Sequence, residues 1–466
     1  MMTTSRQAYI IVLALLLSSC QNFLNVKPQG KILPKTEEEY AAVLNYRLNN
    51  IESGAYDQVI SNAELISKYE AYADDLDANI HVGNLPIYAG TDFNKNYSLY
   101  KDWYAVIKDC NIIIGAMEGK TSEHSRQLIA ACTTIKGICY YNLMRNYCKA
   151  YDPATAGQDL GLCIIDKFDV DYTPERSSLK TTGSFVVSTL NEAASYGITD
   201  DKYMFTSDIA KAYLAKALFW IEEWEDALDI CEELAVKYPL TSREEYEAEI
   251  NSEFGKGKGI IVRNRINNNN SSSASIRGQA LSDMMSRPVS GSLIRLYLPY
   301  NEKDIRYTSF FTSKRKVKKE PFGRISSAEI HLMMAECQAH LEQGQLALDI
   351  LNNLRYNRIE GYTPYTMESL PPVDETSRIK EDALGKPLTA LTQAILNERR
   401  MEMCLEGDRW FELKRNGGPE FSIITDQIGI WQKYTTKTYM YTFPINKDDV
   451  ELKDYLKQNE GYEEYL

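Results

Sequence analysis

Residue types that commonly carry catalysis are few in this chain and are not spaced for it. The four histidines are His81, His124, His331 and His340, and none lies in an H-E-x-x-H sequence. No cysteine–histidine spacing suits zinc, and no Walker loop, G-x-S-x-G or G-x-G-x-x-G sequence occurs. The sequence therefore predicts no catalytic residue, no metal site and no cofactor.

Two clusters of charged residues offer other chemistry. Asp74, Asp75 and Asp77 form a carboxylate cluster without the ligand spacing and glycine of an EF-hand, so we interpret it as a solvated or sugar-binding loop. Residues 397–415 are dense in Glu and Arg. Because arginine forms rigid bidentate pairs with carboxylates, this block favours a half-buried ion-pair network over a catalytic site.

Helical hairpins must position these groups. Apolar residues recur at helical spacing in three segments, at about 100–148, 208–239 and 326–358. The second segment matches a tetratricopeptide repeat (TPR) without gaps, except that Glu222 replaces the usual turn glycine. The third has its turn at Gly344 and is about two residues short of the repeat, so it fits a TPR-like or a generic αα-hairpin equally well.

Long polar stretches separate the helical segments. Residues 241–325 carry Gly-, Asn- and Ser-rich runs with a short strand predicted near 260–262, and residues 361–385 are rich in Pro and Thr. Loops that project from a rigid scaffold commonly hold binding sites, so we expect the ligand region at about 241–325. Two further helices are predicted at 389–415.

The first twenty residues predict a signal peptide. Arg6 precedes an apolar run over 9–17, which is followed by small residues and Cys20. The run is about half of the ~20 residues that a membrane-spanning helix needs. The alternative, a buried segment of the mature fold, is disfavoured because such a run at the start of a chain is usually a targeting signal.

The sequence Leu17-Ser18-Ser19-Cys20 resembles the lipobox of bacterial lipoproteins, which implies cleavage before Cys20 and its lipidation. Lipid chains on Cys20 would attach the protein to a membrane. We therefore predict three parts of the chain: a signal peptide over 1–19, a lipidated tether over 20–35, and a single domain over 36–466 that begins with a helix N-cap at Thr36.

Composition narrows the function classes. The net charge of −13 gives no support to nucleic-acid binding, which draws on basic surfaces. Eight cysteines besides Cys20 lie mostly within apolar patterns and are expected to be buried free thiols. The 32 tyrosines are the most unusual count, and tyrosine combines a flat apolar face with a polar tip.

Four segments together resemble the SusD/RagB family of nutrient-binding outer-membrane lipoproteins. They are the lipoprotein start at 20–28, the pair Ser292-Leu293-Ile294 and Asp304-Ile305-Arg306, the block 397–415, and the closing stretch 443–462. Glu412 stands where the family usually has Asp. The block matches the family hallmark at Asn397, Glu398, Arg399, Arg400, Glu402, Glu406, Gly407, Arg409, Trp410 and Arg415.

The resemblance implies a mostly α, SusD-like fold built on TPR-like hairpins, with long loops and a few short strands. It also implies a non-enzymatic lipoprotein on the outer membrane, facing the exterior, that captures a glycan and passes it to a SusC-like TonB-dependent transporter. Two alternatives remain: the same fold binding peptides, or a TPR scaffold without its own ligand. A hydrolase is the least favoured class.

Ligand contacts vary within this family, so the candidates rest on chemistry and loop position. An aromatic face stacks on the C–H face of a sugar ring, and Asp exchanges hydrogen bonds with its hydroxyls. Ordinary packing inside helices is the competing interpretation for these aromatics. The candidate ligand-binding residues are Asp74, Asp75, Tyr88, Phe93, Tyr97, Trp103, Tyr300, Tyr307 and Phe310.

Overall fold

The protein is described by a computed structural model that covers residues 34–54, 59–77, 99–266, 269–427, 430–451 and 456–462. Predictions for the signal peptide, for Cys20 and for most of the tether lie outside these residues. The described residues group into two compact units that meet in sequence between Val43 and Leu44, and the single domain over 36–466 stays a prediction.

The described end of the first unit contains the predicted helix start. The Thr36 hydroxyl accepts a hydrogen bond from the backbone N–H of Glu39 at 3.3 Å, and the Glu39 carboxylate accepts one from the Thr36 N–H at 3.2 Å. This reciprocal pair is a capping box, which satisfies amides at the first turn that have no helical partner.

Helices dominate the described residues, which confirms the predicted mostly α fold. We number them in chain order as α1 Glu37–Ser53, α2 Ala63–Tyr72, α3 Leu99–Met117, α4 Glu123–Tyr147, α5 Leu179–Ser195, α6 Ser207–Trp220, α7 Trp224–Lys237, α8 Arg243–Asn251, α9 Ser271–Met285, α10 Gly291–Tyr297, α11 Ile305–Phe310, α12 Ser327–His340, α13 Gly344–Tyr356, α14 Ala390–Glu402, α15 Arg409–Arg415 and α16 Lys447–Glu451. Short 3₁₀ turns occupy Asn301–Lys303 and Thr438–Tyr441.

Consecutive antiparallel helices stack into one layered array. The three predicted hairpins are the pairs α3–α4, α6–α7 and α12–α13, and α5 packs between the first two pairs. Helix α7 then packs on α12, which also contacts α14. Two helices cannot bury their shared face alone, so each pair is stabilised by its neighbours in the stack.

The turns of two hairpins use glutamate where a repeat usually has glycine. Glu222 between α6 and α7 has φ +66°, and Glu342 between α12 and α13 has φ +61°. Gly344, which the sequence predicted as the turn, is instead the first residue of α13. Left-handed backbone is costly for a residue with a Cβ, so both turns carry strain that glycine would avoid.

Short antiparallel two-stranded sheets accompany the helices. The described strands pair as Leu160–Cys163 with Arg176–Ser178, Ile260–Arg263 with Arg324–Ser326, and Phe421–Gln427 with Ile430–Thr436. The second pair contains the strand predicted near 260–262.

The segment 241–325 contains more regular structure than its composition suggested. It contains α8 to α11, and a core cluster forms here around Tyr246, Leu293, Tyr297 and Phe310. The burial of side chains in this cluster stabilises helices in a segment whose polar runs predicted a loop-rich region. By contrast, residues 361–385 contain turns and isolated bridges but neither helix nor strand.

Eight cysteines are free and buried, as their positions within apolar patterns predicted. Among the described residues, no helix combines the length and apolarity that a membrane span requires.

Candidate functional site

Asp74 and Asp75 follow α2 and point into the protein, with only 4% and 1% of their surface exposed. Arg400 Nε lies 2.7 Å from Asp75 Oδ1, and Arg409 Nε lies 2.7 Å from Asp74 Oδ1. The expectation of a solvated or sugar-binding loop at these two residues is therefore corrected, because buried arginines occupy their carboxylate oxygens.

Burial and the arginines act in opposite directions on these carboxylates. Burial raises the pKa of Asp74, but Arg400 and Arg409 outweigh it and hold that pKa below its usual range. The pKa of Asp75 is raised, because burial and the adjacent Asp74 charge outweigh the same arginines. Paired charges of this kind position the hallmark helices α14 and α15 against the end of α2.

Two of the predicted aromatic ligand contacts, Trp103 and Phe310, belong to the interior, and a third, Tyr307, packs partly against it. Trp103 is 1% exposed and packs edge-on against Tyr147, and Phe310 is fully buried. Tyr307 is half-buried and packs against Tyr297 in the same core cluster as Phe310. The packing interpretation fits Trp103 and Phe310, because a buried ring offers no face to a sugar.

Tyr300 has a different setting, in a partly exposed aromatic cluster. The guanidinium carbon of Arg355 lies 5.3 Å from the Tyr300 ring centre, 5.0 Å from that of Tyr362 and 4.8 Å from that of Tyr365. Arg355 also pairs with Glu398 of the hallmark block. The remaining predicted contacts, Tyr88, Phe93 and Tyr97, lie outside the described residues.

The hallmark block forms an ion-pair network. At one end, Arg399 pairs with Asp408 and Glu412, each at 2.9 Å. At the other, Arg306 contacts Glu398 at 2.7 Å and Glu402 at 3.3 Å. These side chains are buried, so substrate has no route to them and their role is to join helices.

A large cavity, missed by the sequence reasoning, opens where several chain segments meet. Its volume is about 1020 Å³, the upper end of the range for small-molecule sites. Its walls are the loop after α4, the α6–α7 turn, the turn after Lys380, the end of α15, the 3₁₀ turn at 438–441 and the closing stretch. The charged and hydrogen-bonding side chains of the lining include Lys149, Tyr151, Asp152, Asp159, Glu222, Glu381, Asp382, Lys414, Arg415, Tyr439, Asn459 and Glu460.

Hydrogen bonds to the end of α4 fix the base of this cavity. The Lys414 ammonium donates to the carbonyls of Arg145 at 2.6 Å and Cys148 at 2.5 Å. Burial lowers the pKa of Lys414 to about 7. The Asn459 amide donates to the carbonyls of Tyr147 at 2.9 Å and Phe443 at 2.7 Å, which joins the closing stretch to the same helix end.

Aromatic rings border the cavity. Tyr439 is 38% exposed, and its ring packs on the backbone of Gly461, where an added Cβ would lie 2.4 Å from the ring. Tyr462 packs edge-on against Tyr439 at 5.2 Å. Tyr151 lines the opposite loop. Such half-exposed tyrosines offer an apolar face and a hydroxyl to a ligand.

The cavity's cationic groups are already paired. Lys149 lies 3.4 Å from Asp159 and 3.1 Å from Glu460. Arg415 lies 2.6 Å from Glu336 behind the wall. Their charges are therefore neutralised within the protein, and they add little attraction for an anionic ligand.

Three carboxylates of the lining, Asp152, Glu222 and Glu381, have no ion-pair partner in the described part of the chain, and Glu222 and Glu381 are the two that are only partly exposed. Burial raises the pKa of Glu222 to about 7; Arg415 opposes the shift, and Asp152 and Asp382 add to it. Glu381 packs against Gly417, where an added Cβ would lie 2.6 Å from its Oε1. Both can accept hydrogen bonds from a ligand.

The described residues contain no group of three or more His, Cys, Asp or Glu side chains that could hold a metal ion. The sequence signals for the cavity were slight. Among the lining residues, Glu222 stood out in the sequence only as a departure from the repeat.

The comparisons with known proteins agree with this architecture. The SusD family model matches residues 294–462. A SusD superfamily protein from Bacteroides thetaiotaomicron aligns with a TM-score of 0.67 at 19% identity, over 91% of this chain and 99% of that one. Residues 294–462 therefore resemble the SusD family in sequence, and the fold of the chain is SusD-like.

Two further solved structures are similar in fold. One, described as a SusD-like carbohydrate-binding protein from Bacteroides vulgatus, has a TM-score of 0.65 at 16% identity, over 91% of this chain and 98% of that one. The other, described as a laminarin-binding SusD-like protein, has a TM-score of 0.59 at 16% identity, over 92% of this chain and all of that one. No curated protein matches the chain.

Proposed function

We propose that this protein binds a glycan and does not transform it. The cavity between the end of α4 and the closing stretch carries the proposal, because it combines a volume of about 1020 Å³ with half-exposed tyrosines and unpaired carboxylates. Sugar rings require such apolar faces and such hydroxyl-binding groups. The descriptions of two similar structures as carbohydrate-binding and laminarin-binding support the same class of ligand.

The buried acid–base groups beside the cavity fit a structural role better than a catalytic one. His340 Nε2 lies 3.6 Å from Glu336 and His340 Nδ1 lies 3.9 Å from Asp382, but the imidazole is 3% exposed and stacks on Trp224 at 4.3 Å. A general base must reach the proton that it removes, and this ring lacks that access. Incubation with polysaccharides should therefore release no reducing ends.

The cellular role that we propose is capture at the outer surface and delivery to a partner. Cys20, in its lipobox-like sequence, would anchor the protein in the outer membrane, and a SusC-like TonB-dependent transporter would receive the glycan. Mass spectrometry of the mature amino terminus tests the anchor. Pull-down from detergent-solubilised membranes tests the partner, and recovery of other proteins without a transporter would favour the scaffold alternative.

Calorimetry against a panel of neutral soluble polysaccharides tests binding. Tyr439→Ala should weaken a positive interaction about fivefold, since a stacked ring contributes about 1 kcal/mol. Tyr356→Ala is the matched control, because Tyr356 is 70% exposed and lies outside the cavity. If the protein bound peptides and none of the glycans, the alternative that this fold binds peptides would replace the glycan-binding proposal.

A further inference from the structure

The charges of the cavity restrict which glycans it can accept. Six carboxylates and three cationic side chains line it, an excess of three negative charges when all are ionised. The pairing described above leaves Lys149 and Arg415 with carboxylate partners of their own. The cavity therefore presents a negative field to whatever enters it.

Glu222 and Glu381 contribute most to this field. Among the described residues neither carboxylate has an ion-pair partner, and both are only partly exposed. Water screens them less than it screens a fully exposed carboxylate, so their effect on a ligand charge at the same distance is larger. Lys414 cannot offset them effectively, because two backbone carbonyls occupy it inside the protein.

We infer that the cavity selects glycans that carry no anionic groups, neutral or amino sugars, and that Glu222 and Glu381 impose this selection. A carboxylate accepts hydrogen bonds from sugar hydroxyls or from an ammonium group, but it repels a uronate or a sulfate. The inference rests on the proposed glycan-binding function and names the substrate class of the same cavity.

Calorimetry with defined hexamers tests the selection: hexaoses of glucose, mannose and xylose, a glucosamine hexamer, and a galacturonate hexamer. A neutral or glucosamine hexamer should bind at least about tenfold more tightly than the galacturonate hexamer, as expected for repulsion by two partly screened carboxylates. Tighter or equal binding of galacturonate would overturn the inference and leave glycan binding intact. No binding by any hexamer would instead overturn the proposed function.

Charge-neutral variants test whether Glu222 and Glu381 cause the discrimination against galacturonate. Glu222→Gln with Glu381→Gln should reduce the discrimination against galacturonate by about tenfold. The control pair Glu225→Gln with Glu360→Gln changes the net charge by the same amount at exposed positions outside the cavity. This control should keep the wild-type discrimination against galacturonate. Equal discrimination in both double variants would overturn the role of Glu222 and Glu381.

The wild-type protein provides a second measurement that does not depend on a variant. Between pH 8 and pH 5.5, Glu222 gains a proton while galacturonate stays anionic. Lys414 also becomes fully charged over this range, but its ammonium stays directed at two backbone carbonyls. Asp152, Asp382 and Arg415 face Glu222. Discrimination should therefore weaken at pH 5.5, and an unchanged ratio of affinities would contradict the assignment to Glu222.

Discussion

Replacing Glu402 with glutamine should destabilise the protein by about 3 kcal/mol. Glu402 is fully buried and lies 3.1 Å from Arg358, 3.3 Å from Arg306 and 3.9 Å from Arg324. Removal of one partner from a buried ion pair typically costs about 3–5 kcal/mol, because a charge is left without compensation. The lower end applies here, since glutamine keeps one hydrogen-bond acceptor.

Among the three arginines, Arg358 is affected most by the loss of the Glu402 charge. Arg306 keeps Asp304 at 2.7 Å, and Arg324 keeps Glu406 at 2.8 Å. Arg358 would retain only uncharged acceptors, the new glutamine carbonyl and the backbone carbonyls of Thr241 and Asn357. The entropy of unfolding is about 2.1 cal/mol/K per residue, so for a unit of some 420 residues a change of about 3 kcal/mol lowers the Tm by roughly 3 °C.

Calorimetry and urea unfolding measure this effect. Glu451→Gln is the matched control, because Glu451 lies 3.3 Å from Lys447 in an exposed pair that contributes at most about 0.5 kcal/mol. If Glu402→Gln and Glu451→Gln had indistinguishable Tm values, the buried ion pairs of Glu402 would not stabilise the fold.

Three other outcomes follow from the structure. Glu222→Gly should stabilise the protein by up to about 1 kcal/mol in urea unfolding at pH 7, because φ is +66° at this turn and glycine adopts that backbone without strain; a loss of stability would contradict the strain. Gly161→Ala should cost more than about 2 kcal/mol, since its Cβ would lie 2.2 Å from the Thr182 hydroxyl, whereas Gly157→Ala meets nothing within 4 Å and should stay close to wild type by the same assay. Burial would raise the pKa of Glu402, but its arginine partners hold that pKa at about 2. The stability that ionised Glu402 contributes is therefore present above its unfolded pKa of about 4.5 and disappears as the pH falls towards 2. The free energy of unfolding should fall less steeply with acid in Glu402→Gln than in wild type, and equal slopes would argue against the lowered pKa.

Local sequence periodicity was sufficient to predict the hairpins. A stripe of apolar residues such as that of α6 is readable within the helix itself, and the replacement of the turn glycine by Glu222 was visible in the repeat pattern. The sequence could not show that Glu342, rather than Gly344, takes the left-handed turn of the other hairpin, because both lie within two residues of the expected position.

Local periodicity could not predict contacts between segments that are far apart in the sequence. Asp75 meets Arg400 across 325 positions, so the carboxylates after α2 looked solvated when their partners were not yet known. Trp103 and Phe310 lie near polar stretches of the sequence, and those stretches do not indicate which elements bury them. The cavity needs six separate segments to meet, and no motif marks their convergence.

The buried free thiols have a practical consequence for studies of this protein. Burial raises the pKa of Cys231 and of Cys404, which keeps these thiols protonated and slow to react. Buried cysteines lie along the chain from Cys110 in α3 to Cys404 after α14, and Cys110 and Cys132 are neighbours where α3 packs on α4. The rate at which a thiol reagent labels each one therefore reports how often the structure around it opens, so the native chain carries its own set of local-unfolding reporters.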